Sequence, residues 1–341
     1  MKTRIAINGF GRIGRLVYRA LLQRNMLDDR VEVVIVNDLV PAKNLAYLLK
    51  YDSNYGVWPD EIKAVDDNTI QVGNRVLKTV ALKVTPDQLP WKDYDIDLVI
   101  ESTGHFHHKK DAEGHLSAGA KKVLISALSD PDVRTIVPGV NDDTYQDDAI
   151  VSMASCTTNC LAPIVHVLLR EGIGIEEGLM LTAHSYTVSQ GLVDGPNVKD
   201  LREGRSAAIN LVPTSTGAAK AVSLVIPEVK GKLTGMALRV PTPTVSMIDL
   251  TFRSVRPTSH EEINALMKKA SETYLAGVLG YTEDPVVSSD LKGNTHASIY
   301  DATASLPLND RFFKLISWYD NELGYCHQVT RMIERLIKEK I

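Results

Sequence analysis

"RIAINGFGRIGR", residues 4–15, sets a short β-branched run, three glycines and the start of a helical pattern side by side. "RIAIN" reads as a strand ending in a glycine turn, and "RIGRLVYRALLQRN" continues with apolar residues at helical spacing. The order is strand, turn, helix. Gly9, Gly11 and Gly14 form G-x-G-x-x-G at that turn, where backbone N–H groups approach a pyrophosphate at the helix N-terminus. "VEVVIVND" is a second buried-type strand, and Asp38 closes it 24 residues after Gly14. A carboxylate there accepts hydrogen bonds from a ribose 2′-OH and repels a 2′-phosphate, which favours NAD over NADP.

Working outward, Pro41 sits where a helix begins, leading into "AKNLAYLLKYDS". Strands follow at "DIDLVIES" and "KKVLIS", separated by the helical "KKDAEGHLSAGA". This alternation predicts an α/β unit with a parallel sheet and helices on its faces. After about residue 156 the pattern changes to long β-rich runs, "GLMLTAHSYT", "GMALRVPTPTVSMIDLTFR" and "FFKLISWYD", with few helices between them. A second, mostly antiparallel sheet is expected. "GYCHQVTRMIERLIKEKI" then ends the chain with helical period. The length of 341 residues exceeds what one core usually supports, so two closely packed domains are expected.

A net charge of −4 with mixed signs gives no electrostatic reason to expect nucleic acid or an anionic membrane as main partner, so small molecules are the expected ligands. Three cysteines at 156, 160 and 326 show neither disulfide nor zinc spacing. The sequence holds no signal-peptide pattern and no long apolar run, and a reducing, cytoplasmic setting is expected. Other motifs fail. Gly114 to Gly119 has phosphate-loop spacing but Ala120 stands where lysine is required, and "HEEIN" at 260–264 lacks a second histidine. "HFHH" at 105–108 has no further ligand cluster, so it reads as a loop in which Phe106 flanks the adenine. No metal is expected.

"SMASCTTNC", residues 152–160, precedes the helical run "CLAPIVHVLLR" and so places Cys156 near a helix N-terminus. The helix end and a nearby imidazolium are expected to lower the thiol pKa from about 8.5 to roughly 6 and hold a nucleophilic thiolate. His184, among hydroxyls in a β-type run, is the strongest imidazole candidate. His166 lies ten residues along the same helix, too far to touch the sulfur, and Cys160 reads as structural. Thr187, Ser189, Thr216, Gly217 and Arg239 supply hydroxyls, backbone N–H groups and a guanidinium suited to phosphate oxygens.

Taken together, "INGFGRIGR", "VND", "ASCTTNC", "HSYT", "VDGP", "STGAAKAV", "GKLTGMALRVPTP", "LGYTEDPVVS" and "SWYDNELGY", in this order, resemble the phosphorylating glyceraldehyde-3-phosphate dehydrogenases. The resemblance implies a Rossmann NAD-binding domain over residues 1–155, completed by a C-terminal helix at 321–341. It implies an α+β catalytic domain over 156–320, and a homotetramer. It implies Cys156 as nucleophile and His184 as base. Gly9, Phe10, Gly11, Arg12, Ile13, Gly14, Asp38, Ser126, Asn321 and Tyr325 are then cofactor contacts, Asn321 holding the nicotinamide carboxamide.

By the same resemblance, Thr187, Ser189 and Arg239 form the pocket for the substrate's phosphate, with Ser189 replacing the more usual threonine. Ser155, Thr157, Thr216 and Gly217 form that for inorganic phosphate, and the "VDGP" loop resembles that of NAD-preferring members. Met153 and Leu128 depart from the usual asparagine and proline, beside functional positions. The implied reaction is NAD-dependent oxidation of glyceraldehyde 3-phosphate to 1,3-bisphosphoglycerate through a hemithioacetal and a thioester. Two other readings use the same cysteine: an erythrose-4-phosphate dehydrogenase that hydrolyses its thioester, and an NAD-binding redox sensor.

Overall fold

The computed structural model describes residues 2–198 and 200–338. The chain forms two compact units, one of residues 1–136, 144–154 and 329–341, the other of residues 137–143 and 155–328.

The first unit contains β1 (Thr3–Asn8), β2 (Val31–Asn37), β3 (Tyr51–Asp52), β4 (Gly56–Val57), β5 (Ile62–Asp66), β6 (Thr69–Val72), β7 (Arg75–Val80), β8 (Leu98–Glu101), β9 (Lys122–Ile125), β10 (Arg134–Thr135) and β11 (Ile150–Ser152). Its helices are α1 (Arg12–Gln23), α2 (Met26–Asp29), α3 (Ala42–Lys50) and α4 (Lys109–Ser117). Nine strands make one sheet in the order β10-β11-β9-β8-β1-β2-β7-β6-β5. Pairing is parallel from β10 through β7, and Ile5, Ala6 and Ile7 of β1 are fully buried, as a strand covered on both faces requires.

β6 and β5 pair antiparallel at the edge, an extension that the expected parallel sheet lacks. Its cause is local: Asp67-Asn68 and Gly73-Asn74 close two hairpins, and such short polar turns reverse a strand without a crossover. A buried polar set ties the C-terminal ends of β1 and β8. Glu101 accepts from Asn8 Nδ2 at 2.6 Å and contacts His115 Nε2 at 3.0 Å, while Trp91 Nε1 donates to His115 Nδ1 at 2.9 Å.

The second unit contains α5 (Cys156–Arg170), β12 (Ile175–Ser185), β13 (Val212–Ser215), α6 (Ala218–Val225), β14 (Leu233–Val240), β15 (Ser246–Ser254), α7 (His260–Glu272), β16 (Leu279–Thr282), β17 (Ser298–Asn309) and β18 (Phe312–Tyr319). The last helix, α8 (Leu323–Lys338), starts in this unit, and its residues from Val329 group with the first. Seven strands run β13-β14-β12-β15-β18-β17-β16, antiparallel except for β12 with β14 and β16 with β17. The long run around "RVPTPTVS" divides into β14 and β15 because Pro241 and Pro243 carry no N–H for a ladder.

"HEEIN" opens α7, whose first turn is capped by Ser259 Oγ accepting from the Glu262 N–H at 3.1 Å. Among the described residues no helix is long and apolar enough to cross a membrane, and no three His, Cys, Asp or Glu side chains gather to hold a metal.

Candidate active site

The glycine turn lies in the first unit. Gly9 has φ +89°, and a Cβ there would sit 2.6 Å from the Thr103 backbone nitrogen, so only glycine fits. A Cβ on Gly14 would come within 2.2 Å of the Gly9 carbonyl oxygen, so α1 can approach β1 closely only without one. A Cβ on Gly11 would meet nothing within 4 Å. It faces a cavity of about 500 Å³ lined by Asn8, Asp38, Lys83, Thr103, His105 and Phe106, among others. Gly11 is also the N-cap of α1 and supplies no side chain to the helix end. A backbone-lined concavity of this kind fits the pyrophosphate of a dinucleotide.

Asp38 is bound into the turn, Oδ2 accepting from the Phe10 N–H at 2.8 Å and Oδ1 from the Leu39 N–H at 2.6 Å. Arg12 begins α1 beside Ile13, its guanidinium 3.2 Å from Asp52, and Phe10 is fully buried. Ser126 follows β9, its hydroxyl donating to the Glu101 carbonyl at 2.9 Å.

In the second unit Cys156 is the first residue of α5, after the N-cap Ser155, whose Oγ accepts from the Thr158 N–H at 3.0 Å. Its half-buried Sγ lies 3.4 Å from His184 Nε2, near the end of β12. His184 Nδ1 lies 2.7 Å from the Ser185 carbonyl oxygen and 2.8 Å from Arg239 Nη1. Nδ1 thus meets an acceptor, the carbonyl, and a donor, the guanidinium; the tautomer with its proton on Nδ1 toward the carbonyl is the one that turns the Nε2 lone pair to the sulfur. Arg239 Nη1 also donates to the Ser185 carbonyl at 3.3 Å, while its buried Nε has no hydrogen-bond partner. A guanidinium so placed fits an anion.

The electrostatics correct one expectation. Burial, helped by the Arg239 charge, lowers the His184 pKa to about 4, so the imidazole is neutral at pH 7 and supplies no cation to the thiol. Burial pushes the Cys156 thiol up, against the downward pull of the Thr157 hydroxyl, the Arg239 charge and the backbone N–H groups of Thr157 and Cys156. Both directions run against the thiolate and imidazolium expected from the sequence. Cys160 is fully buried, 3.4 Å from Ser298 Oγ, with its thiol pushed up to about 12 by burial. His166 packs edge-on against Tyr274.

Two comparisons with known proteins bear on this geometry. Residues 3–109 match the family model described as the glyceraldehyde 3-phosphate dehydrogenase NAD binding domain, and residues 155–321 match that of its C-terminal domain. A glyceraldehyde-3-phosphate dehydrogenase of Trichormus variabilis is 52% identical over 343 residues, covering 99% of this chain and 98% of the relative. The chain belongs to the glyceraldehyde-3-phosphate dehydrogenase family. The enzyme of that name from Chlamydia pneumoniae is 52% identical over 98% of this chain and 99% of the relative. A chloroplastic one from Arabidopsis thaliana is 51% identical over 98% of this chain and 78% of the relative.

Set against the positions expected from the family resemblance, the fold brings Cys156, His184 and Arg239 together. Thr187 and Ser189 hydroxyls lie 3.1 Å apart, and Thr216 Oγ1 accepts from the Ala218 N–H at 3.2 Å beside Gly217 at the start of α6. The Thr157 hydroxyl is turned inward, 2.9 Å from Tyr319 Oη, which also lies 2.8 Å from Thr182 Oγ1. Asn321 is buried, and Tyr325 is buried with its phenol held far above the usual range by burial. Met153 is fully buried and Leu128 half-buried.

Sequence reasoning passed over Tyr319, Ser185 and Ser246. Ser185 follows His184 directly, but nothing in the run "TVSMIDL" distinguishes Ser246 from any strand serine.

Proposed function

We propose that this protein oxidises D-glyceraldehyde 3-phosphate to 1,3-bisphosphoglycerate with NAD and inorganic phosphate. The observation that carries the reading is the 3.4 Å approach of Cys156 Sγ to His184 Nε2 at a helix N-terminus, beside Arg239 with its unpartnered Nε. As the sulfur attacks the aldehyde carbon, His184 Nε2 takes the thiol proton. The Cys156 N–H and His184 then face the developing oxyanion of the hemithioacetal. His184 returns its proton to the oxyanion, giving the hemithioacetal hydroxyl, and takes that proton back as the carbon is oxidised, leaving a thioester on Cys156. NAD, when bound, would supply the hydride acceptor, and the residues that would hold it are the turn from Gly9 to Gly14, Asp38, Ser126, Asn321 and Tyr325.

Phosphate then displaces the Cys156 sulfur, giving an acyl phosphate and restoring the thiol. Arg239 with Thr187 and Ser189 binds the phosphate of the substrate. Ser155, Thr157, Thr216 and Gly217 bind the attacking phosphate.

The homotetramer is supported by apolar side chains left exposed in the second unit, with Val188 89%, Val198 99% and Leu201 86% exposed. Three cysteines held as thiols, Cys156, Cys160 and Cys326, support a reducing compartment such as the cytoplasm. The test is NADH formation from glyceraldehyde 3-phosphate and from erythrose 4-phosphate, each with and without phosphate. The proposal predicts a phosphate-dependent rate with the triose. A rate indifferent to phosphate favours thioester hydrolysis, and NAD binding with no reduction by either aldehyde favours a sensor.

A further inference from the structure

Asn321 sits two residues after the end of β18, 5% exposed, and its side-chain oxygen is held from inside the unit. Ser185 Oγ donates to Asn321 Oδ1 at 2.8 Å and Ser246 Oγ donates to the same atom at 3.0 Å. Ser185 is 0% and Ser246 1% exposed, so neither hydroxyl has water as an alternative. An amide oxygen has two lone pairs, and two hydroxyl protons fill both. Ser246 Oγ accepts in turn from the Ser185 N–H at 3.1 Å and lies 3.4 Å from Ser185 Oγ, so the Asn321 oxygen is the closer acceptor for its proton. With the amide turned over, the two hydroxyls would have only each other to donate to, leaving at least one buried hydroxyl proton without an acceptor, so the site selects one orientation.

The backbone that carries Ser246 is built for this aim. Val245 has φ +67°, a conformation that β-branched residues rarely adopt, and it is 2% exposed. On one side of it Thr244 Oγ1 donates to Asp320 Oδ1 at 3.2 Å, and on the other Ser246 reaches Asn321. Asp320 Oδ1 also accepts the N–H groups of Glu322 at 3.0 Å and Leu323 at 2.9 Å, holding the start of α8. Two hydroxyls flanking one strained residue therefore grip two consecutive residues of the α8 entrance. Strain of this kind persists where the surroundings over-determine it.

We propose that Ser185 and Ser246 are positioning residues for NAD recognition: they lock the Asn321 amide so that its NH2 group donates to the nicotinamide carboxamide oxygen. The proposal rests on the reading of Asn321 as the carboxamide contact. With the oxygen saturated from behind, Nδ2 is the only part of the side chain left to meet a ligand, and it meets an acceptor.

The test compares NAD with ADP-ribose, which lacks the nicotinamide, by titration calorimetry on the full chain. Ser185→Ala, Ser246→Ala, the double variant and Asn321→Ala are measured beside the wild type. ADP-ribose affinity should stay within about twofold throughout, while NAD affinity falls about tenfold in the double variant and about threefold in each single one, the range of one neutral hydrogen bond. Adding Asn321→Ala to the double variant should then cost no more than about twofold, because the amide has already lost its orientation. If the double variant does not fold, Ser246→Ala alone carries the test.

An unchanged NAD to ADP-ribose ratio in the serine variants, with the ratio lost in Asn321→Ala, overturns the inference and leaves the role of Asn321 standing. A ratio unchanged in Asn321→Ala overturns both.

Discussion

The glycine turn of the first unit and the thiol cluster of the second are built in opposite ways. The turn is a contiguous stretch whose working surface is backbone, shaped by what Gly9, Gly11 and Gly14 omit. Its one prominent side chain, Asp38, spends both carboxylate oxygens on holding N–H groups of Phe10 and Leu39. The thiol cluster is made of side chains brought from a helix start and two strands, Cys156 and His184 standing 28 positions apart in the sequence and His184 and Arg239 55. A backbone site is weakened, not abolished, by the loss of a single side chain. A side-chain site can be abolished.

The sharpest way to break that contrast is Cys156→Ser. NADH formation should fall by a factor on the order of 10⁴ or more, because a serine hydroxyl beside a neutral, weakly basic imidazole is a far poorer nucleophile. NAD binding by fluorescence titration should stay unchanged. A variant keeping a tenth of the wild-type rate would place the chemistry elsewhere.

Arg239→Gln removes the charge with the unpartnered Nε, and KM for the phosphorylated aldehyde should rise about 10- to 100-fold. The same change removes one cause of the low His184 pKa, so the acid limb of the kcat/KM profile should move to higher pH. A KM within twofold of wild type would remove Arg239 from the phosphate pocket.

Acid stability sharpens the comparison, since among these site residues His184 is a buried base. Its folded pKa of about 4 lies below the ordinary 6.5, so the unfolded chain takes up the proton first as pH falls. Stability is thus unaffected above about pH 7 and is lost between about 6.5 and 4, by about 3 kcal/mol in total. His184→Asn should flatten that part of a denaturant-unfolding series against pH. An identical slope in wild type and variant would show that the imidazole is solvated.

The smallest effect is expected at the turn. Asp38→Gly should weaken NAD about tenfold, combining a lost ribose acceptor with a loosened Phe10 N–H, and weaken NADP less, so that the preference narrows. No change in the ratio of the two affinities would remove Asp38 from ribose recognition.

The same contrast explains what the sequence disclosed. The strand–turn–helix and its glycines were legible because backbone sterics act over a few residues, and Asp38 was legible because β2 ends there. Cys156 was legible as a helix N-terminal thiol. Its ionisation was not: the expected lowering assumed a charged imidazole, while the depth of His184 and the nearness of Arg239 are products of strands β12 and β14 lying side by side. The antiparallel edge of the first sheet was hidden because β5, β6 and β7 are short and interrupted by Asp, Asn and Gly. The inward turn of Thr157 and the pairing of Ser185 and Ser246 with Asn321 depend on partners 136 to 162 residues away for Ser185 and Thr157, and 75 for Ser246. No local pattern reports such partners.

One measurement tests the centre of the account. The protein is mixed with NAD and glyceraldehyde 3-phosphate in phosphate-free buffer, quenched in acid and mapped by mass spectrometry. The account predicts a burst of NADH near one per chain and a phosphoglyceroyl thioester on Cys156, discharged as an acyl phosphate when phosphate is added. A burst with no adduct on Cys156, or an adduct on Cys160 instead, would contradict it.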